Sequence, residues 1–109
     1  MLRRTIVLVC VLVSALAISH FANAHSLPSW WVRQALCVHR YEGSWTDPGA
    51  PFYGGMQFDY STWLANGGGR YAQTANLATP HEQLHIAYVT WKQRGWYPWP
   101  TTARLCGLL

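Results

Sequence analysis

Apolar residues run almost unbroken from Ile6 to Ile18, with neither a helical nor a strand period. Such a run is too short to span a bilayer comfortably. Arg3 and Arg4 precede it, and Ala22-Asn23-Ala24 follows with the small residues of a cleavage site. This layout predicts a secretory signal peptide, residues 1–24, cut after Ala24. Residues 25–109 would form the exported domain, with no stable membrane insertion after cleavage. From Ser29 the pattern turns helical. Trp31, Ala35, Val38 and Glu42 recur at one-face spacing, with Val32, Leu36 and Cys37 beside them. A helix is expected here, capped by Ser29 and closed at Gly43, with Glu42 in its last turn. Residues 43–51 are turn-rich, and Gly54-Gly55 marks a tight turn or short hairpin. Asp59 or Ser61 can cap a short helix carrying Trp63 and Leu64, stopped by Asn66-Gly67-Gly68-Gly69. Residues 70–78 show no clear period. Thr79-Pro80-His81-Glu82 is a capping box with proline at the first helical position. The helix it opens carries Leu84, Ala87, Tyr88 and Trp91 on one stripe and ends at Gly95. The tail from Trp96 to Pro100 reads as stiff and extended. The sum is a small single domain, mostly α with at most a minor strand element.

Composition adds three points. Two of the three cysteines, Cys37 and Cys106, lie outside the leader. In an oxidising compartment a disulfide between them is the default, two free buried thiols the alternative. Six cations (Arg33, Arg40, Arg70, Lys92, Arg94, Arg104) face Glu42, Asp47, Asp59 and Glu82 after cleavage. No basic cluster suggests a nucleic-acid partner. Finally, seven tryptophans and six tyrosines are many for 109 residues. Sugar rings pack their C–H faces on such rings, whose polar edges accept or donate hydrogen bonds. Trp31 and Trp91 fall on apolar helix faces and read as core. Trp45, Trp63 and Trp96 lie beside loops and are groove candidates.

Glu42 is the lone acid of the first helix. A helix C-terminus carries partial negative charge, which raises a carboxyl pKa, and Tyr41 and Trp45 would add apolar surroundings. A glutamate held protonated near neutral pH is what protonation of a glycosidic oxygen requires. The alternative is a solvated glutamate at a helix end.

The run Tyr53-Gly54-Gly55-Met56-Gln57-Phe58 resembles the Y-G-G-L-Q-F segment of resuscitation-promoting factors and related transglycosylase-like domains. Ser61-Thr62-Trp63 and Ala65-Asn66-Gly67-Gly68-Gly69 are similar to that family's S-T-W-x-A-N-G-G-G stretch. Leu77-Ala78-Thr79 and the Gln93-to-Pro100 ending, before a final cysteine, match in the same way. The resemblance covers about residues 31–106. It implies a lysozyme-like α+β fold, a Cys37–Cys106 disulfide, and cleavage of peptidoglycan glycan strands between their alternating amino sugars. It also implies a secreted or cell-wall location and a possible partner cell-wall hydrolase. By position Gln57 and Thr62 would line the cleft, with Tyr53 beside them. One departure concerns the acid. In resuscitation-promoting factors the catalytic Glu directly follows the first cysteine, where Val38 stands here; Glu42 lies one helical turn further on. Relatives with a C-x-H-R-x-E-G-x-W run resemble residues 37–45 more closely, and there the Glu is the expected acid.

Hydrolytic glycosidases usually need two carboxyl groups. Asp47-Pro48-Gly49 reads as a turn and Asp59 as a helix cap, so a single-acid route that closes an anhydro ring is favoured over hydrolysis. No cofactor is called for. A rival class comes from His81-Glu82-Gln83-Leu84-His85, an H-E-x-x-H pattern that could hold zinc in a peptidase. Against it, Glu82 serves the capping box, the pair sits in the first turn, and no third ligand follows. A non-catalytic glycan-binding or signalling module is the remaining alternative; it would keep the aromatic groove and not need Glu42.

Overall fold

The computed structural model describes residues 26–109, so the expected leader and its cleavage site lie outside the described residues. Helix α1 (Ser29–Arg40) buries Trp31, Ala35 and Val38, one stripe at spacings of four and three. Its cap position is Pro28, without a side-chain cap, so Ser29 is the first helical residue and not the cap. The helix also stops earlier than its period suggests. The amides of Tyr41 and Glu42 bond back three residues, to Val38 and His39, at 3.0 Å each. These tighter bonds close the last turn. Glu42 therefore lies just past the helix. Gly43 is not among the described glycines with positive φ, so it is no left-handed cap.

A two-residue hairpin follows. Strands β1 (Phe52–Tyr53) and β2 (Phe58–Asp59) pair antiparallel, Phe52 opposite Asp59 and Tyr53 opposite Phe58. The turn between them closes through Gln57 N–H to Gly54 O, 3.2 Å. Helix α2 (Tyr60–Ala65) starts after Asp59 and buries Trp63 completely. Gly67, with φ +88°, turns the chain out of it. The stretch without a clear period holds two 3₁₀ turns, Gly68–Arg70 and Ala75–Leu77.

Helix α3 (Pro80–Arg94) opens on the predicted capping box. Thr79 accepts from the Glu82 amide while the Glu82 carboxylate accepts from the Thr79 amide. It ends at Gly95, φ +61°. Leu84 and Ala87 of the expected stripe are buried, as are Ile86 and Thr90, so the helix is covered on more than one side. The tail from Trp96 is a turn and not the expected extended stretch, closed by the Trp99 N–H bond to Trp96 O at 3.0 Å. Pro100 starts helix α4 (Pro100–Leu105), because a proline at a helix start forfeits no bond. Cys37 on α1 and Cys106 after α4 are bridged, closing 69 residues.

The core is largely aromatic. Trp31 stacks on Trp96 at 5.9 Å and meets Tyr88 edge-on at 5.0 Å. Trp96 contacts Trp99, which packs on Phe58, which in turn packs on Trp63. Ring contacts thus run continuously from α1 to the floor of the cleft. Trp31 Nε1 is the one buried side-chain polar atom among the described residues without a partner. Leaving it so costs about 1–3 kcal/mol, which the surrounding ring contacts offset. No helix among the described residues is long and apolar enough to cross a membrane.

Candidate active site

The segment carrying Glu42 has almost no regular structure, yet it is tied down at several points. His39, in the last turn of α1, bonds Gly55 O through Nδ1 at 2.8 Å. Its ring stacks on Trp45 with centroids 3.8 Å apart. Trp45 lies flat against Gly55, where a Cβ would collide with the indole. The Trp45 carbonyl accepts from Gln83 Nε2 at 2.8 Å. Gln83, fully buried, also donates to Ala78 O at 3.0 Å and accepts from Gly55 N–H at 2.9 Å. One side chain of α3 thereby satisfies backbone groups of the Glu42 segment, the hairpin turn and the second 3₁₀ turn.

Glu42 itself is half-buried. Burial pushes its carboxyl above the usual range, and a hydrogen bond from Thr102 opposes part of that shift. Thr102 Oγ1 donates to Glu42 Oε1 at 2.7 Å. Burial, one of the two causes the sequence suggested, is the largest cause of the rise. Glu42 and Thr102 line a cavity of about 270 Å³ with Phe52, Gln57, Pro98 and Trp99. The last four also line an adjoining cavity of about 200 Å³, which continues to Asp59, Thr62 and Arg94. The two form one groove, closed at one end by Glu42 and α4, and at the other by α2 and the end of α3. Its floor is held by Trp99, whose Nε1 donates to Met56 O at 2.7 Å.

Of the expected site residues, Glu42, Gln57 and Thr62 come together in this groove. Trp63 and Trp96 do not. They are 0% and 6% exposed, so neither ring can meet a ligand, and both are core. Their nearness to loops in sequence misled because the loops fold over them: Trp63 packs under Gly68, and its Nε1 bonds Ala72 O. Trp45 and Tyr53 are partly buried and pack against the core, outside the groove lining. Among the lining residues that escaped sequence reasoning are Phe52, Trp99, Arg94 and Thr102. A tryptophan between two prolines hinted at Trp99. Nothing local marks Thr102, which meets Glu42 across 60 residues.

Asp47 and Asp59 have structural partners, although Asp59, at the cap position of α2, makes no side-chain cap bond. Asp47 Oδ1 accepts from Gly49 N–H at 3.0 Å and Oδ2 from Gln57 Nε2 at 2.8 Å. Asp59 accepts from Ser61 Oγ at 2.8 Å, and hydrogen bonding from Thr62 holds its carboxyl below the usual range. The H-E-x-x-H pattern lies at the start of α3. Glu82 is engaged in the capping box, and His85 Nδ1 bonds Tyr71 Oη at 2.6 Å. Among the described residues, no group of three or more His, Cys, Asp or Glu could hold a metal ion.

A family model described as a transglycosylase-like domain matches residues 31–102, from α1 into α4. The chain is 50% identical over 87 residues to resuscitation-promoting factor RpfB of Mycolicibacterium smegmatis, covering 79% of this chain and 22% of that protein. It is 38% identical over 79 residues to resuscitation-promoting factor Rpf1 of Corynebacterium glutamicum, 72% of this chain and 40% of the relative. Resuscitation-promoting factor Rpf of Micrococcus luteus is likewise 38% identical over 79 residues, 72% of this chain and 33% of the relative. The chain thus spans well under half the length of these relatives.

Proposed function

The chain belongs to the transglycosylase-like domain family of the resuscitation-promoting factors, and from that membership we propose that it cleaves peptidoglycan, with Glu42 as its general acid and base. The bond would be the β-1,4 link between N-acetylmuramic acid and N-acetylglucosamine. The observation that carries the reading is the half-buried Glu42 carboxyl, raised above its usual range, hydrogen-bonded to Thr102 and facing a groove. Such a carboxyl keeps a proton to give at a pH where an exposed glutamate has lost it.

In the proposed reaction protonated Glu42 gives its proton to the glycosidic oxygen, and the C1–O bond breaks. The muramic acid ring carries positive charge at C1. Glu42, now a carboxylate, takes the proton of the C6 hydroxyl as that oxygen bonds to C1. A 1,6-anhydro ring closes, no water is consumed, and Glu42 is again protonated. This route is preferred over hydrolysis because, among the described residues, no second carboxylate lines the Glu42 end of the groove. Both Asp47 oxygens are engaged by other groups, and Asp59 lies at the far end. Gln57, Thr62 and the exposed ring of Phe52 would bind the sugars. Export through the predicted leader of residues 1–24 would bring the domain of residues 25–109 to the cell wall, where a partner hydrolase could take up the cleaved strands.

Mass spectrometry of fragments released from purified peptidoglycan tests this reading. Anhydro-muramic ends are expected. Reducing ends alone would replace ring closure by hydrolysis. Wall binding without any fragments would make the chain a binding module.

A further inference from the structure

Gln57 is held by more than a cleft residue needs for binding alone. Its φ of +50° makes it the one non-glycine in the left-handed region among the described residues. That conformation costs on the order of 1 kcal/mol and persists only where the surroundings enforce it. Three groups enforce it here. Nε2 donates to Asp47 Oδ2 at 2.8 Å and to Gly54 O at 2.9 Å, which uses both amide hydrogens. Gly43 lies against the same nitrogen, where a Cβ would stand 2.7 Å from Nε2 and 3.2 Å from Asp47 Oδ2. Asp47 is itself fixed: its Oδ1 accepts from Gly49 N–H, and its carbonyl accepts from Gly54 N–H at 2.9 Å.

The amide orientation follows from these contacts. A nitrogen facing two acceptors cannot exchange places with the carbonyl oxygen, so Oε1 must point elsewhere. It makes no hydrogen bond within the described residues, and Gln57 lines both halves of the groove. We propose that Asp47 is a positioning residue that acts on the cleft through Gln57, holding Oε1 toward the sugar as a fixed acceptor and making that oxygen more negative. A charge-assisted bond to the amide N–H polarises the amide, and the polarisation appears at the carbonyl oxygen. A negative, pre-oriented oxygen would accept from a sugar hydroxyl or acetamido N–H. It would also favour positive charge growing on the ring as the C1–O bond breaks. Asp47 would thus exert part of the influence of a second carboxylate without touching the substrate. This inference rests on the glycan-cleaving reading given above.

Asp47→Asn separates this role from a structural one. Asn can keep the bond from Gly49 N–H through Oδ1, but its other atom is an amine that meets Gln57 Nε2 donor to donor. The oxidised domain is compared as wild type, Asp47→Asn, Gln57→Ala and the double variant. Melting temperature, steady-state turnover of peptidoglycan, and calorimetric binding of tetra-N-acetylchitotetraose are read for each. The proposal expects Asp47→Asn to melt several degrees lower but stay folded at the assay temperature, while kcat falls roughly tenfold or more and KM and the oligosaccharide's Kd rise only several-fold. In the Gln57→Ala background the same change should cost nothing further. Unchanged turnover in Asp47→Asn, or losses that simply multiply in the double variant, would overturn it. If Asp47→Asn unfolds, the wild-type Gln57 side-chain amide is read by NMR. Slow proton exchange is expected, and a freely exchanging amide overturns the proposal. If the wild type releases no fragments, the cleavage reading fails by itself. The oligosaccharide then decides the present one: several-fold weaker binding in Asp47→Asn upholds it, equal binding ends it.

Discussion

Glu42 is costlier to ionise in the folded chain than in the unfolded one, because burial raises its carboxyl. The sign for stability follows. Below the unfolded pKa the group is protonated in both states and carries no penalty. As pH rises through the raised folded value, the folded state alone resists losing the proton, and stability drops. Glu42→Gln, a neutral isostere, should therefore melt higher than wild type at pH 7, with the gain vanishing below about pH 4.5, the carboxyl's ordinary range. Calorimetry at the two pH values checks this. Thr102 works in the opposite direction, since its hydroxyl stabilises the charged form. Thr102→Val should raise the Glu42 pKa further and move the alkaline limb of the pH–rate profile upward. An unmoved limb would mean that Glu42 does not set it. Glu42 stood out in the sequence as the lone acid near the end of its helix. Thr102 did not, because the contact exists only once α4 folds back across the cleft.

At the scale of elements, periodicity and caps carried most of the information. The Thr79–Glu82 capping box, the stop at Gly95 and the glycine stop after α2 are local bargains between backbone and side chain, and they stand where the sequence puts them. Thr79→Ala should cost about 1 kcal/mol and lower the melting temperature by roughly 4–8 °C. Activity at 25 °C should stay at the wild-type level, since Thr79 is outside the groove. The errors arose where tertiary contacts override a local pattern. Helix α1 could have run to Glu42 by its apolar period. It stops at Arg40, and the segment beyond is drawn toward the hairpin by the His39–Gly55 and Gln83–Trp45 bonds. Trp63 and Trp96 look like groove residues beside loops, and become core because the glycine-rich stretch and the Trp31 ring close over them.

Across the whole molecule, one bridge and one aromatic chain connect the ends to the site. The Cys37–Cys106 disulfide spans 69 residues. Loop-closure entropy assigns such a bridge about 4 kcal/mol, so Cys37→Ala/Cys106→Ala should melt at least about 10 °C lower by calorimetry. It joins the helix before Glu42 to the helix carrying Thr102, so reduction should also loosen the acid's surroundings. The pairing was legible from the two cysteines that lie outside the expected leader. The groove as a shape was not, because its walls come from β1, the turn at Gln57, the Pro98–Trp99 stretch and α4, far apart in sequence. On the proposed mechanism Glu42 carries the proton. The most direct measurement is release of soluble fragments from purified peptidoglycan by wild type, Glu42→Gln and, as control, Glu82→Gln, with binding of each to the same wall. Fragment release should fall by about a thousandfold or more in Glu42→Gln with binding kept, and stay at the wild-type level in Glu82→Gln. Release by Glu42→Gln at the wild-type rate would rule out Glu42 as the proton donor.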